Sequence, residues 1–354
     1  MRVLVLGGTK FIGAAAVRAL LAGGHEVTCY HRGRTPGALP AEVRHVLGDR
    51  RELATRAAEL APLRPEALLD MVCMTEADAC DTRALARALA CPRLVVASSC
   101  DVYRAFGLVL GSEEGPLAPL PLREDSPLRA RLYPYRRDPP RAADDPDRWQ
   151  DEYEKQRVEA TLLAAADLAV TVIRLPMVHG PADPRRRVGE WLRRMRPERR
   201  GLVLAASQAA WRPCRGFVDD AGRALALALT AAGPAHASPG DGRVYHVADP
   251  PCAEGEWVAA IARAAGWDGR VLVVPDRDLP APLQVEARLE QHLDLDTTRI
   301  EADLGWRPLG TPAEALARAV AWERATPWPD PTPDQRQAES AREAAEDELL
   351  ARAG

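Results

Sequence analysis

Tyr153 and Lys155 stand two residues apart in the stretch "DEYEKQRVEA", and that lysine is one of only two in a chain with 47 basic residues; Lys10 is the other. A phenol with an ordinary pKa of about 10 exchanges protons near neutrality only where a fixed positive charge favours the phenolate. Two cations compete for that role. On a continuous helix Arg157, four residues on, shares the face of Tyr153, whereas Lys155 lies roughly 200° around and points away unless the helix begins at that point. Arginine supplies charge, but a pKa above about 12 keeps it from passing a proton on. The bland reading makes Tyr153 a half-buried aromatic at a helix start and Lys155 a surface charge.

A second chemical pattern opens the chain. In "RVLVLGGTKFIGAAAVRALL" the residues Gly7, Gly8, Thr9, Lys10, Phe11, Ile12 and Gly13 form a turn between an apolar run and a helical pattern. Glycine there permits a tight turn and close backbone approach, and the helix start offers free amides and partial positive charge to a pyrophosphate. Lys10 is either a point-charge phosphate ligand or a solvated rim residue. The next apolar run, "VTCYHRGR", ends in His31, Arg32 and Arg34 with no acid to hold a ribose 2′-hydroxyl, which favours NADP over NAD. Asp49 and Arg50 follow in "GDR"; Asp49 is equally suited to forming a turn.

These groups need a scaffold. Strand-length apolar runs alternate with helical patterns ("RVLVLGG", "HEVTCYHRG", "ALLDMVCM", "RLVVASS"), which predicts an α/β fold with a Rossmann-type doubly wound parallel sheet. Residues 1–182 are expected to form the nucleotide-binding domain, with a long Pro-rich insert at about 104–150 acting as a lid or binding loop. Residues 183–326 suit a smaller mixed α/β substrate domain whose segments return to the first, and 327–354 a linker and peripheral helix. Arg136 and Arg137 in the insert are candidates to meet an anionic substrate.

Composition narrows the function. A formal net charge of −4 argues against nucleic acid as a partner, because phosphate neutralisation needs clustered positive charge. The arginine-rich segment Pro184 to Arg200 is expected to be a solvated helix face, with an anion contact or nucleic-acid association as minority readings. Seven scattered cysteines without a CxxC pattern suggest reduced thiols, no metal site and a cytoplasmic location. No run of 18 apolar residues predicts a membrane span.

Taken together, the glycine loop, "LVVASSCDVY", the tyrosine stretch, "RLPMVHGP" and "DTTRIEADLGWRP" resemble the extended (atypical) short-chain dehydrogenase/reductases, the NAD(P)-dependent epimerase/dehydratase family, over Met1 to about Trp322. The resemblance implies hydride transfer to or from a nicotinamide, with Ser99 holding the reacting oxygen and Tyr153 exchanging the proton. It places Val72, Cys73, Pro176, Met177 and Val178 beside the cofactor and Asp49 at the adenine, implies a homodimer, and makes Arg215 in "WRPCRGFVDD" a diphosphate contact in sugar-nucleotide members. An ion pair of Arg215 with Asp219 or Asp220 is an equal alternative. Lys10 departs from the family's middle glycine, and Arg157 from its lysine four places after the tyrosine.

Three readings of the site stay open. Tyr153 works with Ser99, assisted by Arg157 or Lys155; or Asp101, Tyr103, Tyr133 or Tyr135 carries part of the proton transfer or binds substrate; or the site is degenerate and the protein is an NADP-binding sensor or scaffold. The expected substrate is a small polar hydroxyl or carbonyl compound, such as a nucleotide sugar, acted on by a reductase, epimerase or dehydratase.

Overall fold

The computed structural model describes residues 1–34, 39–231 and 239–353. Strands follow the apolar runs: β1 (Arg2–Leu6), β2 (Glu26–His31), β3 (Arg44–Leu47), β4 (Ala67–Asp70), β5 (Arg93–Ser99), β6 (Ala169–Leu175), β7 (Met177–His179), β8 (Gly201–Ala205), β9 (Arg215–Phe217), β10 (Arg243–His246) and β11 (Arg270–Val274). The helices between and after them are α1 (Phe11–Ala22), α2 (Ala57–Leu60), α3 (Glu76–Ala88), α4 (Arg104–Val109), α5 (Lys155–Leu163), α6 (Arg187–Arg194), α7 (Ala206–Ala210), α8 (Val218–Thr230), α9 (Glu254–Ala265), α10 (Thr298–Leu304), α11 (Pro312–Ala325) and α12 (Pro333–Arg352).

Seven strands pair in parallel in the order β10-β6-β5-β4-β1-β2-β3. Side chains of β4, β5 and β6 are buried on both faces, as a parallel sheet covered by helices requires. One face packs against α1, α8 and α10 through Val17, Leu20, Leu225 and Ile300. The other packs against α3 and α5 through Leu85, Val158 and Leu162. The sheet is therefore doubly wound, and its strand order reverses between β1 and β4, where a crevice opens at the strand ends.

The smaller part pairs β8 with β11 and β7 with β9, surrounded by α6, α9, α11 and α12. A segment of the second half returns to the main sheet, since β10 lies beside β6. Two expectations are corrected here. The C-terminal helix is not peripheral: capped at Thr332 by Gln335, it packs Leu349 and Leu350 onto β8 and β11. Nor is the arginine-rich segment solvated, because its cations meet the acids of α12. Arg196 pairs with Glu343 at 3.0 Å, Arg199 with Asp347 at 2.8 Å, and Arg193 with Glu339. Partners about 150 residues apart leave no trace in local spacing.

After α4 the insert runs through turns as far as Asp147, anchored by bridges from Tyr103 to Leu128 and from Leu122 to Leu295. Arg136 and Arg137, candidates for a substrate anion, serve this anchoring: the Arg136 side chain and the Arg137 amide donate to Asp151. All seven cysteines are unbridged. Among the described residues no His/Cys/Asp/Glu group could hold a metal ion, and no helix is long and apolar enough to cross a membrane.

Candidate active site

β1 passes the chain to α1 through Gly7, whose φ of +83° is open to glycine and strained for other residues. A Cβ there would lie 2.5 Å from Val72 Cγ1, and one at Gly13 would lie 2.8 Å from the Gly7 carbonyl oxygen. The loop and the first turn of α1 thus touch backbone to backbone, with Gly8 buried beneath and Thr9 and Ile12 half-buried. Phe11 takes a left-handed φ of +43° to start the helix. Lys10 is its exposed N-cap, no side chain caps the amides, and no acid lies in the first turn. A close glycine backbone below an uncapped helix start fits a dinucleotide pyrophosphate.

At the end of β2, His31 Nε2 and His45 Nδ1 lie 2.8 Å apart. Arg32 and Arg34 are exposed and hold no salt bridge among the described residues. Asp49 behaves as a turn former: it accepts the Arg51 amide at 3.0 Å, and its hydrogen bond to the Arg51 guanidinium pulls its carboxyl down to about 2. Arg50, expected beside the cofactor, turns inward instead. It reaches Asp70 at 2.8 Å and Asp78 at 2.7 Å, tying the loop after β3 to β4 and α3.

The tyrosine stretch resolves the competition between cations. Glu154 is the N-cap of α5, accepting the Gln156 amide at 2.9 Å, so Tyr153 lies before the helix and the i, i+4 relationship does not apply. Arg157 consequently faces solvent, which corrects its assignment to the site. Lys155 is buried as the first helical residue. Its Nζ donates to the carbonyls of Cys73 (2.6 Å) and Ala97 (2.8 Å) and sits 5.9 Å from the Tyr153 ring centroid. Burial lowers the Lys155 pKa, against the opposing pull of Cys73, Asp70 and Asp101.

Tyr153 is buried, and its hydroxyl donates to Asp101 Oδ2 at 2.9 Å. Tyr135, reaching in from the insert, donates to the same oxygen at 2.9 Å. Burial first, then the Asp101 charge, pushes the Tyr153 pKa well above the ordinary phenol value, with the Ser99 hydroxyl pulling the other way. This reverses the expectation of a cation-stabilised phenolate: the environment holds the phenol protonated. Asp101 itself is raised by burial, opposed by Arg129, Tyr153, Tyr135 and Lys155, and its Oδ1 is buried without a partner. Ser99 ends β5 and accepts the Asp101 amide at 3.2 Å.

Other expected residues lie elsewhere. Tyr103 is fully buried, bonded to Arg174 at 2.6 Å and to His246, and cannot meet a substrate. Tyr133 gives its amide to Glu154 and stacks under Arg136 at 3.8 Å, so it braces the insert. Cys73 offers its carbonyl, its thiol being buried, and Val178 sits in the core. Arg215 pairs with Glu254, neither Asp219 nor Asp220, and lies 4.0 Å over the Trp257 ring. Sequence reasoning passed over Trp149, whose ring lies 6.1 Å from that of Tyr153, although an aromatic four residues upstream is a visible signal. It also missed the buried Arg129–Glu154 pair, for which spacing gives none.

A cavity of about 620 Å³ lies away from Tyr153, which packs against Tyr135 of the insert. It opens beside Met177, next to the half-buried Pro176, and Trp191, Trp211, Trp257 and Arg215 line it. The arrangement therefore joins a close glycine turn below an uncapped helix start, a buried phenol with a hydroxyl and an ammonium near it, and a separate aromatic, arginine-lined chamber.

The model of the NAD dependent epimerase/dehydratase family matches residues 3–248. A segment of 99 residues is 39% identical to 2'-dehydrokanamycin reductase of Streptomyces kanamyceticus, spanning 28% of this chain and 28% of that relative. Among solved structures, a UDP-glucose-4-epimerase from Stenotrophomonas maltophila, with bound NAD and formylated UDP-arabinopyranose, has a TM-score of 0.69 at 17% identity. It covers 92% of this chain and 98% of its own. A UDP-glucose 4-epimerase from Thermus thermophilus, in complex with NAD, has a TM-score of 0.63 at 23% identity, covering 92% and 99%. At these identities the likeness is one of fold.

Proposed function

The chain belongs to the NAD-dependent epimerase/dehydratase family, and from that premise we propose that it is an NADP(H)-dependent oxidoreductase acting at a secondary hydroxyl or carbonyl carbon of a sugar-like substrate. The observation that carries this reading is the convergence of Ser99, Tyr153 and the buried Lys155 ammonium at the carboxyl ends of β4 and β5, in contact through Val72 with the glycine loop. The 99-residue likeness to a reductase supports carbonyl reduction over epimerisation.

The glycine loop and the uncapped start of α1 would hold the pyrophosphate, and Arg32 and Arg34 a 2′-phosphate. When bound, the nicotinamide supplies or accepts the hydride. The chain's own part is proton handling. In reduction the Tyr153 hydroxyl, now donating to Asp101, turns its proton to the carbonyl oxygen, which becomes the product hydroxyl while Tyr153 is left as phenolate. Ser99 donates a hydrogen bond to the same oxygen, and the Lys155 ammonium stabilises the phenolate electrostatically.

A second reading, cofactor binding without turnover, is favoured by the covering of Tyr153 with Tyr135 and Trp149. One experiment separates the two. NADPH oxidation is followed with a panel of keto-sugars and oxidised aminoglycosides, for wild type and Tyr153→Phe. Turnover that Tyr153→Phe abolishes at unchanged NADPH affinity upholds catalysis; NADPH binding with no oxidation across the panel favours the second reading.

A further inference from the structure

The residues matched by the family model end at 248, yet α12, more than eighty residues later, lines the large cavity with Glu339 and Arg342. Most arginines of this region are spent on carboxylates. Arg193 pairs with Glu339, Arg194 and Arg199 with the buried Glu346, and Arg187 with Asp183 at 2.9 Å. Arg342 is different: among the described residues no hydrogen bond or salt bridge reaches it, and its Nε is buried without a partner. On the opposite wall Arg215 is 8% exposed, and its Nη1 is likewise buried and unpartnered, while Nη2 is held by Glu254. Three unpartnered guanidinium nitrogens, Arg194 Nε being the third, line one chamber whose other walls include Trp211 and Trp257. A buried donor left unmade is costly, and a guanidinium is best satisfied by a planar or tetrahedral oxyanion.

We infer that α12 completes the substrate pocket, and that Arg342 acts with Arg215 to hold an anionic group, a phosphate or a carboxylate, on the part of the substrate remote from the reacting carbon. This rests on the proposed function only in taking the cavity as the substrate's seat. The helix thereby becomes a specificity element: its Glu339 keeps Arg193 occupied, leaving Arg342 as the cation that α12 offers the chamber.

The test uses the full chain with NADP⁺ saturating, so that the pyrophosphate cradle is filled, and titrates inorganic pyrophosphate and glucuronate by calorimetry. Wild type should bind at least one of them, and which one tells phosphate from carboxylate. Arg342→Gln should weaken that binding by about tenfold or more, as loss of a charge-assisted contact requires, and Arg342→Lys should restore part of it. Arg352→Gln, on the exposed end of the same helix, should change nothing, and NADP⁺ affinity should be equal in all four proteins. Because no bond reaches the Arg342 side chain among the described residues, its replacement should leave the fold intact. Equal anion affinity in wild type and Arg342→Gln, or no anion binding by a wild type that takes NADP⁺, overturns the inference. Arg342-dependent anion binding by a chain that binds no nucleotide sustains it and sinks the function proposed above.

Discussion

Tyr153 gives its hydroxyl proton to Asp101 Oδ2 at 2.9 Å, inside a site where the second oxygen of that carboxylate has no partner. The carboxylate therefore opposes ionisation of the phenol, while the neighbouring Lys155 is held by two carbonyls at a distance from the ring.

Removing that negative charge should ease ionisation of Tyr153. Asp101→Asn keeps an acceptor oxygen of similar shape while removing the charge, so the Tyr153 pKa should fall. Ultraviolet titration of phenolate, taken as the difference between each protein and its Tyr153→Phe counterpart, measures it directly. An unmoved value means that burial alone holds the phenol protonated.

Arg32 and Lys10 should divide the cofactor between them. Arg32→Ala should cost NADPH about tenfold in affinity and leave NADH unchanged, because a guanidinium beside the 2′-phosphate has no counterpart on the 2′-hydroxyl. Lys10→Ala should weaken both nucleotides alike, since the pyrophosphate is common to them. Calorimetry that finds NADH preferred by wild type rejects the NADP assignment.

Glu346 is the hub of the C-terminal clamp, wholly buried and shared by Arg194 and Arg199, the latter at 2.7 Å. Glu346→Gln leaves the Arg194 guanidinium without its anion and Arg199 with Asp347 alone, so unfolding free energy should drop by about 3 kcal/mol. The exposed Glu348–Arg352 pair on the same helix should be worth less than about 1 kcal/mol when Glu348→Gln removes it. Denaturant midpoints at equal slope report both numbers, and similar losses would deny the clamp its role.

His246 makes stability depend on pH. It is fully buried beside Arg174 and Tyr103, and burial lowers its pKa from 6.5 to about 4. The folded state thus binds its proton less readily than the unfolded state. The stability this represents is complete above pH 6.5 and is lost as pH falls towards 4, by about 3 kcal/mol. Wild type should lose that much more than His246→Gln between those limits in denaturant titrations. Parallel curves for the two proteins would contradict the buried neutral imidazole.

Some features were legible because their causes are local. Alternating apolar runs and helical patterns specify a parallel sheet, since the two periodicities arise within a few residues. Gly7 and Gly13 announced the turn because only a missing Cβ admits Val72 and the Gly7 carbonyl so close. Tyr153 and Ser99 were named from the resemblance of their stretches, and Asp101 and Tyr135 without their link being visible.

The choice between Lys155 and Arg157 turned on a single N-cap, Glu154, which sets where α5 begins and thus which cation turns inward. Arg50 and Tyr103 were misjudged for a different reason. The chain carries 47 basic and 51 acidic residues, and spacing cannot say which of many opposite charges will meet. By itself the sequence determined the parallel sheet and the glycine turn between β1 and α1, both set by contacts between near neighbours. Tertiary structure alone decided that α12 reaches the cavity with Arg342 and that Asp101 sits under Tyr153 and Tyr135. Those contacts join segments that only the packed core brings within hydrogen-bond range.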